Sequence, residues 1–168
     1  MDPNALRARA RRLQLMAFDV DGVLTDGRLH YGPEGETLKV FHVRDGQGLK
    51  KLTRAGVTLA IITGRDSTMV ARRAEELGIE HVIQGRDDKG EALAALAAEL
   101  ELPAEAVGYA GDDEPDVAAL HWAGLGFAVA DAHASARDAA DWIAPRNGGD
   151  GAARAICDLV LDARGSAS

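Results

Sequence analysis

Only one cysteine, Cys157, occurs in 168 residues, which excludes an internal disulfide and suits a reducing compartment. It falls in an apolar helical stripe with Ile156, Val160 and Leu161, the setting of a buried, inert thiol. Long apolar runs are also missing, and none approaches the ~18 residues of a membrane-spanning helix. Arg7, Arg9, Arg11 and Arg12 precede Asp19 without an apolar h-region between them, so a soluble, cytoplasmic protein is expected. Positive charge is scarce: 19 Lys and Arg face 27 Asp and Glu, a net charge of −8. That balance argues against a protein that tracks nucleic acid by counterion release. A phosphorylated ligand would have to be met by local positive charge. His30, His42, His81, His121 and His133 show no paired metal-ligand spacing, which argues against zinc. Trp122 and Trp142 suit core or interface packing better than a stacking platform.

What is present is ordinary for a globular protein, with 46% hydrophobic and 27% charged residues, and one domain over residues 1–168 is expected. Short β-branched or apolar runs alternate with helical patterns. Strands are predicted at 13–18, 57–63, 81–84, 107–110 and 125–129, and helices at 48–55, from about 66 to 77, 89–100, 116–123 and 151–163. Such alternation predicts an α/β fold: a doubly wound, Rossmann-like parallel sheet with helices on both faces. Between the first strand and the first helix, turn residues Gly32 to Glu36 separate two strand-like pieces and predict a projecting β-hairpin over about 27–43. The tail from Arg164 to Ser168 is small and is expected to be mobile.

The first strand ends abruptly in Asp19-Val20-Asp21-Gly22-Val23. An EF-hand loop also begins Asp-x-Asp, but it needs a third oxygen ligand where Val23 stands and a Glu where His30 stands. Asp-Gly is also a common turn pair, so the acids alone leave a purely structural reading open. Residues just beyond the carboxyl ends of neighbouring parallel strands share one crevice. Here these are Asp19 and Asp21, then Thr63, then Gly111-Asp112-Asp113, with Lys89 opening the helix after the third strand.

In that order, Asp19-Val20-Asp21-Gly22-Val23, Ile62-Thr63-Gly64, Lys89 and Gly111-Asp112-Asp113-Glu114-Pro115-Asp116 resemble the four motifs of the haloacid dehalogenase superfamily of aspartate-nucleophile phosphatases. The resemblance implies Asp19 as nucleophile, Asp21 as general acid and then base, and Thr63 and Lys89 as catalytic groups that bind and neutralise the phosphoryl oxygens. It also implies Mg²⁺ held by Asp19, the Asp21 carbonyl and Asp112, with Asp113 and Asp116 orienting the lysine and the metal waters. A dication suits this acidic site. Two unit charges at 4 Å repel by about 4 kcal/mol at an effective dielectric of 20.

The gaps between motifs leave no room for a cap domain. His42 to Gly48, Arg65, Ala128 to Ala132 and Asn147 to Gly151 resemble the capless branch that removes phosphate from 3-deoxy-D-manno-octulosonate 8-phosphate in lipopolysaccharide precursor synthesis. That resemblance implies a sugar-phosphate substrate contacted by Asp21, His42, Val43, Arg44, Asp45, Gly46, Lys50, Arg65, Arg73 and Lys89. It further implies a homotetramer assembled through the hairpins. A nine-carbon sugar acid 9-phosphate or a broader range of sugar phosphates remains an alternative. So does a receiver-like phosphate acceptor, although the third strand ends in Gln84-Gly85 without an acid. A non-catalytic oligomerisation domain is the last alternative, against which the four complete motifs speak.

Overall fold

The computed structural model describes residues 2–165; Met1 and residues 166–168, most of the expected mobile tail, lie outside them. The chain opens with α1 (Pro3–Arg12), capped by Asp2, whose carboxylate accepts from Ala5 N at 3.1 Å. Proline at the first helical position costs nothing, because its missing N–H would have no intrahelical partner there. The buried strand β1 (Leu15–Phe18) follows. It pairs in parallel with β4 (Thr58–Ile62) on one side and β6 (Val107–Gly111) on the other, Leu15 lying beside both Thr58 and Val107.

With β5 (His81–Ile83), β7 (Leu125–Ala128) and β8 (Trp142–Ile143) the sheet has six parallel strands in the order β5-β4-β1-β6-β7-β8. The chain winds outward from β1 through β4 to β5, then returns to β6 and winds the other way. Strand order therefore reverses between β1 and β6, the place where an open α/β sheet leaves a crevice at its carboxyl edge. Asp19 and Asp112 are the residues that follow those two strands. The expected α/β, doubly wound architecture is the observed one, and among the described residues no cap domain interrupts it.

Helices α2 (Val43–Arg54), α3 (Thr68–Leu77), α4 (Lys89–Glu99), α5 (Val117–Trp122), α6 (Ala134–Ala139) and α7 (Ala152–Arg164) connect and cover the strands. Their apolar faces join β1, β4, β6 and β7 in a continuous core that includes Phe18, Leu49, Ile61, Leu93, Phe127, Ile156 and Cys157. The hairpin, β2 (His30–Gly32) and β3 (Gly35–Leu38), forms a separate two-stranded sheet. Its strands are shorter than the alternation predicts.

Two differences from the expected elements have physical reasons. Helix α2 starts five residues before the expected Gly48, because His42 caps it through a bond from Arg44 N to Nδ1 at 3.0 Å. Glycines within it serve close packing instead of ending it: a side chain at Gly48 would meet the backbone of Arg154 on α7 at 3.2 Å. Helices α1 and α6 and strand β8 are unpredicted. They are short or weakly periodic, and tertiary bonds hold them, such as the Arg9–Asp141 ion pair at 2.8 Å that ties α1 to the loop before β8. The glycine turn at 147–151 packs on the acidic turn, where a Cβ on Gly148 would lie 1.7 Å from the Gly22 carbonyl oxygen.

Candidate active site

The strand ends do converge. Asp19, Asp21, Thr63, Gly64, Arg65, Lys89, Asp112, Asp113 and Asp116, with Asp87, line one cleft of about 170 Å³. Asp19, Thr63, Lys89 and Asp116 are buried within it. Lys89 Nζ stands 3.0 Å from Asp19 Oδ1 and 2.8 Å from Asp116 Oδ1. Burial works against the ammonium, but the charges of the two carboxylates outweigh it and hold the Lys89 pKa above the ordinary lysine value.

The three acids Asp19, Asp112 and Asp116 each place a carboxylate oxygen within 4.8 Å of the others. They are not equivalent. Asp116 is committed on both oxygens: Oδ1 accepts from Lys89 Nζ and from the Tyr109 hydroxyl at 2.6 Å, and Oδ2 from the backbone N–H groups of Asp112 and Asp113 at 2.9 and 3.1 Å. Its two oxygens therefore tie the Lys89 ammonium, the Tyr109 hydroxyl and the backbone at 112–113 together. Asp19 and Asp112 keep lone pairs to spare.

Those two carboxylates lack enough positive charge between them. Burial and then the Asp116 charge push the Asp19 pKa up to about 7. Burial and then the Asp19 charge push Asp112 up to about 8. Two hard oxygen donors close to each other, with the one nearby ammonium paired to Asp19 and Asp116, form a site that fits a divalent cation, which would relieve that repulsion. The backbone is shaped to the same end. Gly22 has φ +92°, and a Cβ there would lie 2.0 Å from Asp112 Oδ2, so only glycine lets the acidic turn approach the second carboxylate.

The hairpin supplies residues that the motifs do not. Lys39, just after β3, places Nζ 2.6 Å from Asp21 Oδ1 and 2.8 Å from Glu36 Oε1. Glu36 Oε2 lies 3.4 Å from Arg65 Nη2, which also donates to the Tyr31 hydroxyl at 3.3 Å. Lys39, Glu36, Tyr109 and Asp87 are the site residues that sequence reasoning missed. A signal existed for Tyr109, since a tyrosine inside a fully buried strand must find a partner for its hydroxyl. Lys39 carried none, because the alternation around it places a lysine on an exposed flap.

The remaining predicted contacts lie elsewhere in this chain. His42 caps α2, Val43 is 81% exposed, and Arg44 and Lys50 are exposed. The Asp45 carboxylate is turned inward, where Oδ1 accepts from Arg154 N at 2.8 Å near the start of α7. Arg73 sits over the Phe41 ring at 5.7 Å and pairs with Glu76 at 3.3 Å, and Gly46 packs against its guanidinium. His42, Asp45, Gly46 and Arg73 line a separate narrow pocket with Leu24 and Phe41.

Residues 81–156 match the family model of haloacid dehalogenase-like hydrolases. The chain is 40% identical over 163 residues to a 3-deoxy-D-manno-octulosonate 8-phosphate phosphatase of Haemophilus influenzae, covering 97% of this chain and 91% of that one. It superposes with a TM-score of 0.95 and 45% identity on the Moraxella catarrhalis phosphatase of the same name, a crystal structure in complex with magnesium, phosphate and 3-deoxy-D-manno-octulosonate; 98% of this chain and 94% of that chain are covered. A cobalt-bound form of the Haemophilus influenzae enzyme gives 0.92 at 41% identity, over 95% and 93% of the two chains. By fold, by the four strand-end motifs and by likeness along nearly its whole length, the chain belongs to the haloacid dehalogenase-like hydrolases, in the branch of the 3-deoxy-D-manno-octulosonate 8-phosphate phosphatases.

Proposed function

We propose that this protein is a Mg²⁺-dependent phosphomonoester hydrolase acting on 3-deoxy-D-manno-octulosonate 8-phosphate. The observation that carries the reading is the pair Asp19 and Asp112 at the sheet's switch point, with the Lys89 ammonium 3.0 Å from the nucleophile. The likeness to a phosphatase crystallised with magnesium, phosphate and the sugar acid supports it.

Asp19 and Asp112 would hold Mg²⁺ together with the Asp21 carbonyl; when bound, the ion supplies positive charge that screens the carboxylates from the phosphoryl oxygens. The chain's own groups account for the rest. An Asp19 oxygen attacks phosphorus, the bond from phosphorus to the sugar oxygen breaks, and the leaving oxygen takes a proton from Asp21. Water then attacks the aspartyl-phosphate, passing its proton to Asp21, and Asp19 is released with inorganic phosphate. Thr63 and Lys89 bind the transferring oxygens, so the repulsion between phosphate and the acidic cleft is offset where charge develops. Asp116 orients Lys89. Asp113 caps the 3₁₀ turn at Glu114–Asp116 and so fixes the backbone N–H groups that bind Asp116.

The chain acts as one cytoplasmic domain in this reading, and none of its described helices is long and apolar enough to cross a membrane. A homotetramer built on the hairpins accounts for five of the exposed large apolar residues, Leu29, Tyr31, Leu38, Val40 and Val43, which lie on the hairpin, at its exit or at the start of α2. It would also give His42, Val43, Arg44, Lys50 and Arg73 a neighbouring site to serve, with the buried Asp45 and Gly46 holding that segment in shape. The deciding experiment is phosphate release from 3-deoxy-D-manno-octulosonate 8-phosphate, beside a nine-carbon sugar acid 9-phosphate, with and without EDTA and for Asp19→Asn. Turnover of the eight-carbon substrate that vanishes with EDTA and with the substitution is expected. Full activity of Asp19→Asn would refute the covalent route, and equal rates on both sugars would refute the substrate.

A further inference from the structure

A chain of alternating charges crosses from the hairpin into the cleft, from the solvent-facing Arg65 through Glu36 and the buried Lys39 ammonium to Asp21. Lys39 belongs to a projecting flap, yet its side chain is only 1% exposed. Its ammonium is shared between Asp21 Oδ1 at 2.6 Å and Glu36 Oε1 at 2.8 Å. Burial opposes that charge, but the hydrogen bonds to the two carboxylates outweigh it and hold the Lys39 pKa above its usual value.

A plain structural account would make this a clip that presses the hairpin onto the domain. Exposed ion pairs of that kind contribute little and tolerate loss of either partner. A desolvated ammonium differs, because its position is set by the carboxylates it must keep. The carboxylate it keeps most closely belongs to the residue with the most exacting geometry in the proposed reaction. Asp21 has to aim one oxygen first at the leaving sugar oxygen and then at the attacking water. Lys39 takes Oδ1 and leaves Oδ2 for that work. Misplacement of a reacting group by ~1 Å can cost ~100-fold in rate.

We infer that Lys39 is a positioning residue for the reaction: from the hairpin it fixes the rotamer of Asp21, so that the flap contributes to protonating the leaving group. The inference rests on the reading of Asp21 as general acid, and the two can be separated. Protonation matters for a sugar alkoxide and hardly at all for p-nitrophenolate, which departs as a stable anion. The ratio of kcat/KM for 3-deoxy-D-manno-octulosonate 8-phosphate to that for p-nitrophenyl phosphate therefore reads the acid's service in the first half-reaction.

For Lys39→Met, which keeps the aliphatic length, that ratio is expected to fall about 10- to 100-fold, less than the ~100- to 10,000-fold of a whole general-acid contribution because the Asp21 carboxyl itself remains. Lys39→Gln covers the case in which methionine is not tolerated, with the same expected direction. Glu36→Gln breaks the clip to Arg65 but leaves the Lys39 contact with Asp21, and should lower the ratio much less. Asp21→Asn should lower it at least as far as Lys39→Met. A parallel fall of both kcat/KM values in the lysine variants, or an equal effect of Glu36→Gln, would reduce Lys39 to a clip and overturn the inference. If the lysine variants keep the wild-type ratio while Asp21→Asn loses it, the acid role stands and the role of Lys39 alone fails. A wild-type ratio in Asp21→Asn sinks the acid role, and the inference with it.

Discussion

Tyr109 donates its hydroxyl to Asp116 at 2.6 Å from inside β6, the same carboxylate oxygen that Lys89 reaches at 2.8 Å. The phenol is fully buried, and burial followed by the Asp116 charge raises its pKa well above the ordinary tyrosine value. It remains a donor at every working pH. Removing it with Tyr109→Phe leaves the volume nearly intact but takes one of four donors from a buried carboxylate. A hydrogen bond to a charged group contributes about 1.5–3 kcal/mol, so the free energy of unfolding measured in urea should drop by a matching amount. Because Asp116 also holds Lys89 over Asp19, kcat should fall roughly 10-fold. Loss of stability without loss of kcat would show that Asp116 keeps its place on the two backbone N–H groups alone.

The acid cluster makes stability depend on pH and on Mg²⁺. Burial and the charges of neighbouring carboxylates push Asp19 up to about 7 and Asp112 up to about 8 in the folded chain, well above the ordinary aspartate range. For acids raised in this way the folded state keeps protons that the unfolded state has lost. Their contribution is whole below the unfolded pKa and declines as pH rises from about 4 to about 8. Metal-free protein should therefore lose thermal stability across that window. A dication competes with those same protons, so the rise in Tm on adding Mg²⁺ should be larger at about pH 8 than at about pH 5. An equal rise at both values would place the ion away from Asp19 and Asp112.

How much of this was readable beforehand follows from where each group sits. Asp19, Asp21, Thr63, Lys89 and Asp112 were legible because a parallel sheet brings residues beyond its strand ends to one crevice, whatever lies between them. Glu36 and Lys39 were not, since their approach depends on how a short hairpin folds back on the sheet, which the period of a strand does not encode. The inward turn of Asp45 depends on α7, over a hundred residues further along the chain, placing the Arg154 N–H beside it. Helix α2 was misjudged at its start because Gly46 and Gly48 look like breaks, whereas tight packing against Arg73 and α7 requires them.

Gly22 gives a test of the acidic turn itself. With φ at +92° and Asp112 Oδ2 at 2.0 Å from where a Cβ would stand, Gly22→Ala brings both backbone strain and a collision with a cleft carboxylate. The strained conformation alone costs on the order of 1–3 kcal/mol. Turnover should fall at least 100-fold, by analogy with misplaced reacting groups elsewhere, and half-saturation by Mg²⁺ should move to higher concentration. Gly56→Ala is the control, since its φ is +83° but nothing lies within 4 Å. That variant should lose stability alone, and an equal loss of activity in both would trace the defect to backbone strain alone.

The hairpin carries the last prediction, because Tyr31 is 63% and Val40 56% exposed on an element otherwise tied down by charge. An isolated two-stranded hairpin is marginal in water, and its apolar side chains gain more from a neighbouring subunit than from solvent. Each large apolar side chain fully buried contributes about 1.5–3 kcal/mol, and a closed tetramer repeats that gain at every symmetric contact. Val40→Asp should therefore lower the mass measured by light scattering from that of a tetramer towards that of a monomer. Far-UV circular dichroism should be unchanged, since Val40 lies outside the core. Wild-type protein that runs as a monomer at micromolar concentration would end the tetramer reading and leave the exposed apolar face of the hairpin without a partner.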